Sequence, residues 1–259
     1  FGSLGIQLIG APAIIGDEDS VIFHDHKSGI CHISAAEHEG HSDQTHGVEG
    51  VNFYTKLKES GTIPISIGGD HLISLPILRG IHKDKPIGLF QFDSHSDTWD
   101  TYFGGYKYTH GTPFRRAIEE ELIDPKKYVI LGLRGSLYDP NDLSWARDQG
   151  VTIITIDNYY DMGFSNCIEK IYEVLQNTDT YFTFDIDGID PTFAPGTGTP
   201  EVGGFSVREA QLIIRSLNKL NFIGSDVVEV SPPFDLNNLT SHVAATIAYE
   251  ILCTMTKTN

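Results

Sequence analysis

Ile87-Gly88-Leu89-Phe90-Gln91-Phe92-Asp93-Ser94-His95-Ser96-Asp97 joins two patterns in one stretch. Residues 87–92 form a near-continuous apolar run, the signature of a strand covered on both faces. The residues that follow set Asp93, His95 and Asp97 at alternating positions. In extended chain such positions point the same way, so the three side chains can converge on one point. Charged groups gathered directly after a buried strand are costly unless a cation compensates them.

The same arrangement recurs along the chain. Gly68-Gly69-Asp70-His71 follows the apolar run 63–67; its glycines permit a tight turn and His71 can point into a cleft. Asp185-Ile186-Asp187-Gly188-Ile189-Asp190-Pro191 follows the run 180–184. Asp185 and Asp187 again face one side, whereas Asp190 before Pro191 reads as turn chemistry. Glu229 lies near the end of a further strand, 224–230, and at the mouth of a metal cleft it reads as a substrate anchor. Ligands in open α/β sheets bind at the C-terminal ends of strands, where all four segments fall. His71, Asp93, His95, Asp97, Asp185 and Asp187 together offer two imidazoles and four carboxylates, a set suited to two divalent ions with bridging carboxylates. Mixed nitrogen and oxygen donors suit Mn²⁺ best, with Ni²⁺, Co²⁺ or Zn²⁺ next, and no cysteine lies nearby to make a structural zinc site.

Further strands are expected over 5–10, 128–133 and 151–156. Helices are expected over 74–82, starting on a Ser74 cap, over 164–176, over 206–220, opening on the capping-box pattern Ser206-Val207-Arg208-Glu209, and over 240–254. Alternating strands and helices give an α/β fold with a mostly parallel sheet covered on both faces. Length and the lack of a linker point to one domain over 1–259. Residues 21–50 are polar and poorly periodic, and hold His24, His26, His32, His38, His41 and His46. Their spacing matches no ligand pattern, so a long surface loop is preferred over an extra metal site.

The formal net charge of −17 would repel phosphates and excludes a general nucleic-acid binder. An acidic field can draw a cationic ligand or simply keep the chain soluble. No apolar run approaches the ~20 residues that span a bilayer. Cys31, Cys167 and Cys253 are too scattered for a disulfide framework, so a reducing, cytoplasmic setting is expected. No signal peptide is read, and the chain begins at Phe1 without Met, which leaves room for natural sequence before it.

The three segments around His71, Asp93–Asp97 and Asp185–Pro191 resemble the signature segments of the ureohydrolases, the arginase/agmatinase family. Segments 110–116 (His-Gly-Thr-Pro-Phe-Arg-Arg), 131–136, 194–200 (Ala-Pro-Gly-Thr-Gly-Thr-Pro) and 229–235 resemble its agmatinase and guanidinobutyrase branch. The resemblance runs from about residue 63 to the C-terminus; residues 1–60 depart from it, with Ala11–Asp19 in place of a loop rich in Gly, Arg and Pro. It implies a three-layer α/β/α fold around a largely parallel eight-stranded sheet. It implies that His71, Asp93, Asp97 and Asp185 hold one metal and that Asp93, His95, Asp185 and Asp187 hold the second. It implies hydrolysis of a linear guanidino compound, agmatine or a guanidino acid, to urea and an amine, by a homo-oligomer, trimer or hexamer. Asp97 would orient the attacking hydroxide, Glu229 would pair with the guanidinium, and His110 would shuttle the proton. For the distal end of the substrate, Asp100 and Asp235 are candidates toward an ammonium, and Arg134 and Lys107 toward a carboxylate. Trp99, Tyr102, Phe103, Tyr106 and Tyr108 would line the cleft or pack on a neighbouring subunit. The competing readings are hydrolysis of free or small substituted guanidine, a non-catalytic partner subunit of an active homologue, and a one-metal zinc deacetylase.

Overall fold

Near-continuous apolar runs become the middle of one sheet. The structure, a computed structural model, describes residues 6–10, 23–24, 31–32 and 44–256. The strands are β1 (Ile6–Gly10), β2 (Phe23–His24), β3 (Cys31–His32), β4 (Ile63–Ile67), β5 (Ile87–Phe92), β6 (Ile123–Leu133), β7 (Thr152–Thr155), β8 (Asp179–Asp185) and β9 (Asn221–Val228). The helices are α1 (Gln44–Glu59), α2 (Ser74–Ile81), α3 (Pro113–Glu119), α4 (Ser144–Gln149), α5 (Ile156–Met162), α6 (Phe164–Leu175), α7 (Val207–Ser216) and α8 (Leu239–Met255).

The strands lie in the order β2-β3-β1-β4-β9-β8-β5-β6-β7. Every pairing is parallel except β2 with β3. The expected largely parallel sheet is therefore present. It counts nine strands among the described residues rather than eight, two of them the two-residue pieces β2 and β3 beyond β1.

Every residue of β5 is buried, because helices cover both faces of the sheet. On one face Phe90, Phe92, Phe182 and Phe184 pack with Ile171 of α6, Ile213 of α7 and Ile247 of α8. On the other, Leu89, Ile130 and Tyr181 pack with Tyr54 of α1, Leu78 of α2 and Phe114 of α3. This is the three-layer arrangement that the alternation predicts. The four strands that lead into the ligand-type segments, β4, β9, β8 and β5, are consecutive neighbours in the sheet. Being parallel, they deliver their C-terminal ends to one edge.

Local chemistry sets several boundaries. Ser206 caps α7 with a full capping box to Glu209, as its sequence predicts. Ser74 does not cap α2; Ile73 is the cap residue, and the Ser74 hydroxyl instead donates to Asp226 at 2.6 Å. β7 ends at Thr155 and not at Ile156, since Thr155 forms a capping box with Asn158 and starts α5. The segment 21–50 falls largely outside the described residues, but its last part, 44–50, begins α1. Residues 11–19, where the family pattern is left, also lie outside them.

Candidate metal centre

A 3-10 turn, His71–Ile73, begins after Gly68 and Gly69, and Asp70 caps it by accepting from Leu72 N at 2.7 Å. Gly68 ends β4 in close contact with this turn: a Cβ there would fall 2.1 Å from Ile73 Cδ1, so the Ile73 side chain would have to move. The turn carries His71 into the core, fully buried. After β5 the chain turns sharply, and Asp97 has a left-handed φ of 51°. Asp93, His95 and Asp97 are therefore distributed by a turn rather than aligned by extended chain. After β8, Asp185 caps a second 3-10 turn, Ile186–Gly188, which carries Asp187.

These segments assemble two donor sets. His71, Asp93, Asp97 and Asp185 place one ligand atom each within 4.8 Å of one another; Asp93, His95 and Asp187 do the same. All six residues expected from sequence are thus brought together. Asp93 is shared between the sets, and Asp185 groups with the first.

The first set faces inward on itself. His71 Nδ1 has no hydrogen-bond partner. Carboxylate oxygens of Asp97, Asp185 and Asp93 lie 2.8, 3.2 and 3.5 Å from it. Thr183 Oγ1 donates to Asp226 at 2.6 Å, so it accepts from His71 Nε2 at 2.7 Å. The proton of a neutral ring then sits on Nε2, and Nδ1 turns a lone pair toward three carboxylates. Acceptors converging on one point are stable around a cation, and this nitrogen and oxygen donor set fits a divalent one.

The electrostatics say the same. Burial, with the charges of Asp185 and Asp97 next, pushes Asp93 well above the ordinary carboxylate range. Burial and the Asp187 charge push Asp185 up to about 7. Burial opposes protonation of His71, yet the neighbouring carboxylates of Asp185 and Asp97 carry its pKa well up. Burial likewise opposes protonation of His95, but the Asp187 carboxylate, 3.0 Å from its Nδ1, raises it to about 9. The clustered carboxylates favour positive charge among them, whether as protons or as a bound cation.

Outer contacts orient the carboxylates. Asp93 accepts from Gln91 Nε2 and from its neighbour His95 N, both at 2.6 Å. Ser94 Oγ donates to Asp187 Oδ1 at 2.6 Å, and Thr199 Oγ1 to Oδ2 at 3.3 Å. Glu229, with φ at 63°, accepts from His71 N at 2.6 Å and donates its own N–H to Gly69 O at 2.7 Å, tying the end of β9 to the end of β4. Burial, with Asp185 and Asp70, pushes its carboxyl well above the usual range. Two non-glycine residues at positive φ beside one cluster mark a backbone held in a sparsely populated conformation.

Beside the cluster opens a cleft of about 240 Å³, lined by Asp97, Asp185, Asp187 and Glu229 on the donor side. His95 and His110 also line it, with Trp99, Tyr102 and Tyr138 at the rim. His110 packs edge-on against the rings of Tyr102 and Phe103, 5.3 Å from each.

Other distal-pocket candidates go elsewhere. Asp235 accepts from Thr240 N and from Ser241 N and Oγ, serving the start of α8. Asp100 pairs with Arg116 at 2.8 Å. The Arg134 guanidinium is spent on main-chain oxygens of Asp187, Gly188 and Glu201. None of these three lines the cleft, nor does Lys107. Asp190 behaves as turn chemistry, accepting from Thr192, Gly203 and Gly204 N–H groups. Sequence reasoning did not single out Tyr138, Glu201 and Thr199 in the cleft, nor Gln91, Thr183 and Asp226 behind the donors. The signal for the last three is a polar side chain within a strand at the middle of the sheet.

No helix among the described residues is long and apolar enough to cross a membrane. The sequence pattern of the Arginase family matches residues 26–254. The chain is 48% identical over 211 residues to guanidinopropionase of Pseudomonas aeruginosa, covering 82% of this chain and 66% of that protein. It is 43% identical to guanidinobutyrase of the same organism, covering 78% and 63%. It thus spans less than two thirds of the length of these curated relatives. The solved structure of proclavaminate amidino hydrolase from Streptomyces clavuligerus superposes with a TM-score of 0.82 at 30% identity, covering 97% of this chain and 92% of that one. With the match extending over most of its length and through every segment that builds the cluster, this chain belongs to the arginase family.

Proposed function

We propose that this chain hydrolyses a linear guanidino compound to urea and an amine, using two divalent ions held by His71, Asp93, His95, Asp97, Asp185 and Asp187. The observation that carries the reading is the buried lone pair of His71 Nδ1 facing three carboxylates beside an acidic cleft. Asp93, common to both donor sets, would serve both ions, as would Asp185 by the family resemblance. Mn²⁺ is the proposed metal, with Ni²⁺ or Co²⁺ as alternatives. When bound, such ions supply Lewis acidity and make hydroxide available near neutral pH.

The protein's own groups do the rest. Glu229 offers its carboxylate to the guanidinium N–H groups, a planar fork that a carboxylate matches. A guanidinium beside it supplies the positive charge that its raised pKa calls for. Asp97 lies in both the cleft lining and the inner donor set, so it accepts a hydrogen bond from the attacking oxygen and aligns it. His110, lining the cleft and held by two rings, hands a proton to the leaving amine.

Two lines of support bear on the distal end of the substrate. The described lining holds acidic side chains and neither Lys nor Arg, which favours a cationic tail such as that of agmatine. The names of the relatives bring guanidino acids forward with equal weight. Free cysteines at Cys167 and Cys253 support a reducing, cytoplasmic location. Exposed aromatics around the cleft, Phe103 and Tyr138 among them, support a homo-oligomer, trimer or hexamer. The test is urea release from agmatine, arginine, 4-guanidinobutyrate, 3-guanidinopropionate and free guanidine, with Mn²⁺ and separately with Ni²⁺. Urea from one linear compound is the expected result. Its absence from all of them, with two ions per chain verified, would sink the reading.

A further inference from the structure

Asp226, on β9, is fully buried and takes no part in either donor set. Three hydroxyls converge on it: Ser74 and Tyr181 donate to Oδ2 and Thr183 donates to Oδ1, each at 2.6 Å. A buried carboxylate with three hydroxyl donors serves as a fixed acceptor. Thr183 has one hydroxyl proton, and Asp226 takes it. The remaining capacity of Thr183 Oγ1 is to accept, and its partner is His71 Nε2 at 2.7 Å. Ser74 opens α2, directly after the turn that carries His71. The same carboxylate therefore fixes the orientation of a hydroxyl on β8 and ties down the helix that follows His71.

We propose that Asp226 is a positioning residue which, through Thr183, holds His71 with its proton on Nε2 and its Nδ1 lone pair reserved for a divalent cation. This rests on reading His71, Asp93, Asp97 and Asp185 as a metal-binding set. The direction of the relay matters more than its presence. If Thr183 were free to turn, its hydroxyl could donate to Nε2. The ring proton would then move to Nδ1 and occupy the position that a ligand needs. Loss of such an outer partner costs about 10–100-fold in metal affinity in comparable sites.

The probe is Mn²⁺ alone, titrated calorimetrically into metal-free protein. The ring tautomer is read independently from long-range ¹H–¹⁵N correlations of His71 before metal is added, at a pH high enough for the ring to be neutral. Thr183→Val removes the relay at nearly constant volume and should weaken one Mn²⁺ site by about 10–100-fold, leaving the other in place. Asp226→Asn should weaken the same site and populate the Nδ1–H tautomer. Thr183→Ser, which keeps the hydroxyl, should restore both affinity and tautomer. Melting of the metal-free variants separates this effect from misfolding; if Asp226→Asn does not fold, the Thr183 pair decides alone. Mn²⁺ affinity within twofold of wild type in Thr183→Val, or an unchanged tautomer there, would overturn the relay. Wild-type protein that binds no Mn²⁺ would instead overturn the metal reading on which it rests.

Discussion

The two donor sets are built from similar groups, but the protein treats them differently. The inner set turns on His71, which is 0% exposed and braced through Thr183 and Asp226. The outer set turns on His95, whose side chain is 23% exposed and opens to the cleft. Its ring contacts are Asp187 at 3.0 Å and Ser94 Oγ at 3.1 Å. The inner position is braced by the protein's own hydrogen bonds, and the outer one stands where solvent in the cleft reaches it. Preorganisation and access are thus divided between neighbours that share Asp93.

Asp93→Ala should have the largest effect, because it removes the member common to both sets. Metal analysis should find neither ion retained at stoichiometric Mn²⁺, and urea release should fall by more than the ~100-fold that loss of an outer partner costs. A variant that keeps one ion tightly would show that the sets are independent after all.

His71→Ala and His95→Ala test the difference itself. Removing one partner from a buried pair costs about 3–5 kcal/mol, so His71→Ala should lower the melting temperature of metal-free protein far more than His95→Ala does. His95→Ala should lose Mn²⁺ chiefly from the weaker of two calorimetric sites. Equal destabilisation by the two substitutions would erase the distinction drawn from burial.

Glu229→Gln keeps an acceptor for His71 N–H but removes the charge proposed to face the guanidinium. Both ions should stay, while kcat/KM falls roughly 10- to 150-fold, the value of a charged hydrogen bond of about 1.5–3 kcal/mol. If Mn²⁺ stoichiometry falls instead, Glu229 belongs to the metal site and not to the substrate.

pH separates the metal-free from the loaded state. The Asp187 carboxylate overcomes burial to raise His95 to about 9, above its ordinary 6.5. A raised folded-state pKa contributes stability that is complete below the unfolded value and lost as pH rises through the folded one. Asp185, raised by burial and Asp187 to about 7, acts with the same sign at lower pH. Metal-free melting temperature should therefore fall between about pH 6.5 and 9. With Mn²⁺ present the slope should reverse, since ligands must lose their protons to bind. Parallel slopes with and without metal would mean that the ions bind elsewhere.

How much of this was legible in the sequence depends on what each residue depends upon. The strands 63–67 and 87–92 were readable to the residue, because burial on both faces makes the run apolar throughout. The first half of β6 was not, since Asp124, Lys126 and Lys127 interrupt the pattern while Ile123 still pairs with Ile87. The donors were readable because charged groups after apolar strands are rare without a reason. Their division into two sets was legible only through the family resemblance: in the fold it follows from the left-handed turn at Asp97 and from which strands are neighbours in space. Asp226 was hidden for the same reason, its three partners lying 152, 45 and 43 positions away in the chain.

Two serines make the limit concrete and give the smallest expected effect. Ser74 and Ser206 both read as helix caps in sequence. Only Ser206 is one: it accepts from Glu209 N at 3.2 Å, and the Glu209 carboxylate returns to Ser206 N at 2.8 Å. Ser74 gives its hydroxyl to Asp226 instead. Ser206→Ala should cost about 1 kcal/mol, the worth of an N-cap, and lower the melting temperature by about 2–4 °C with Mn²⁺ affinity unchanged. Ser74→Ala should differ in kind, weakening Mn²⁺ binding as well as stability, because it takes one of three donors from the carboxylate behind His71. The contrast fails if both variants lose stability alone. Ser74 would then be an ordinary buried hydroxyl, and the inner donor set would owe its order to burial and not to the hydrogen bonds behind it.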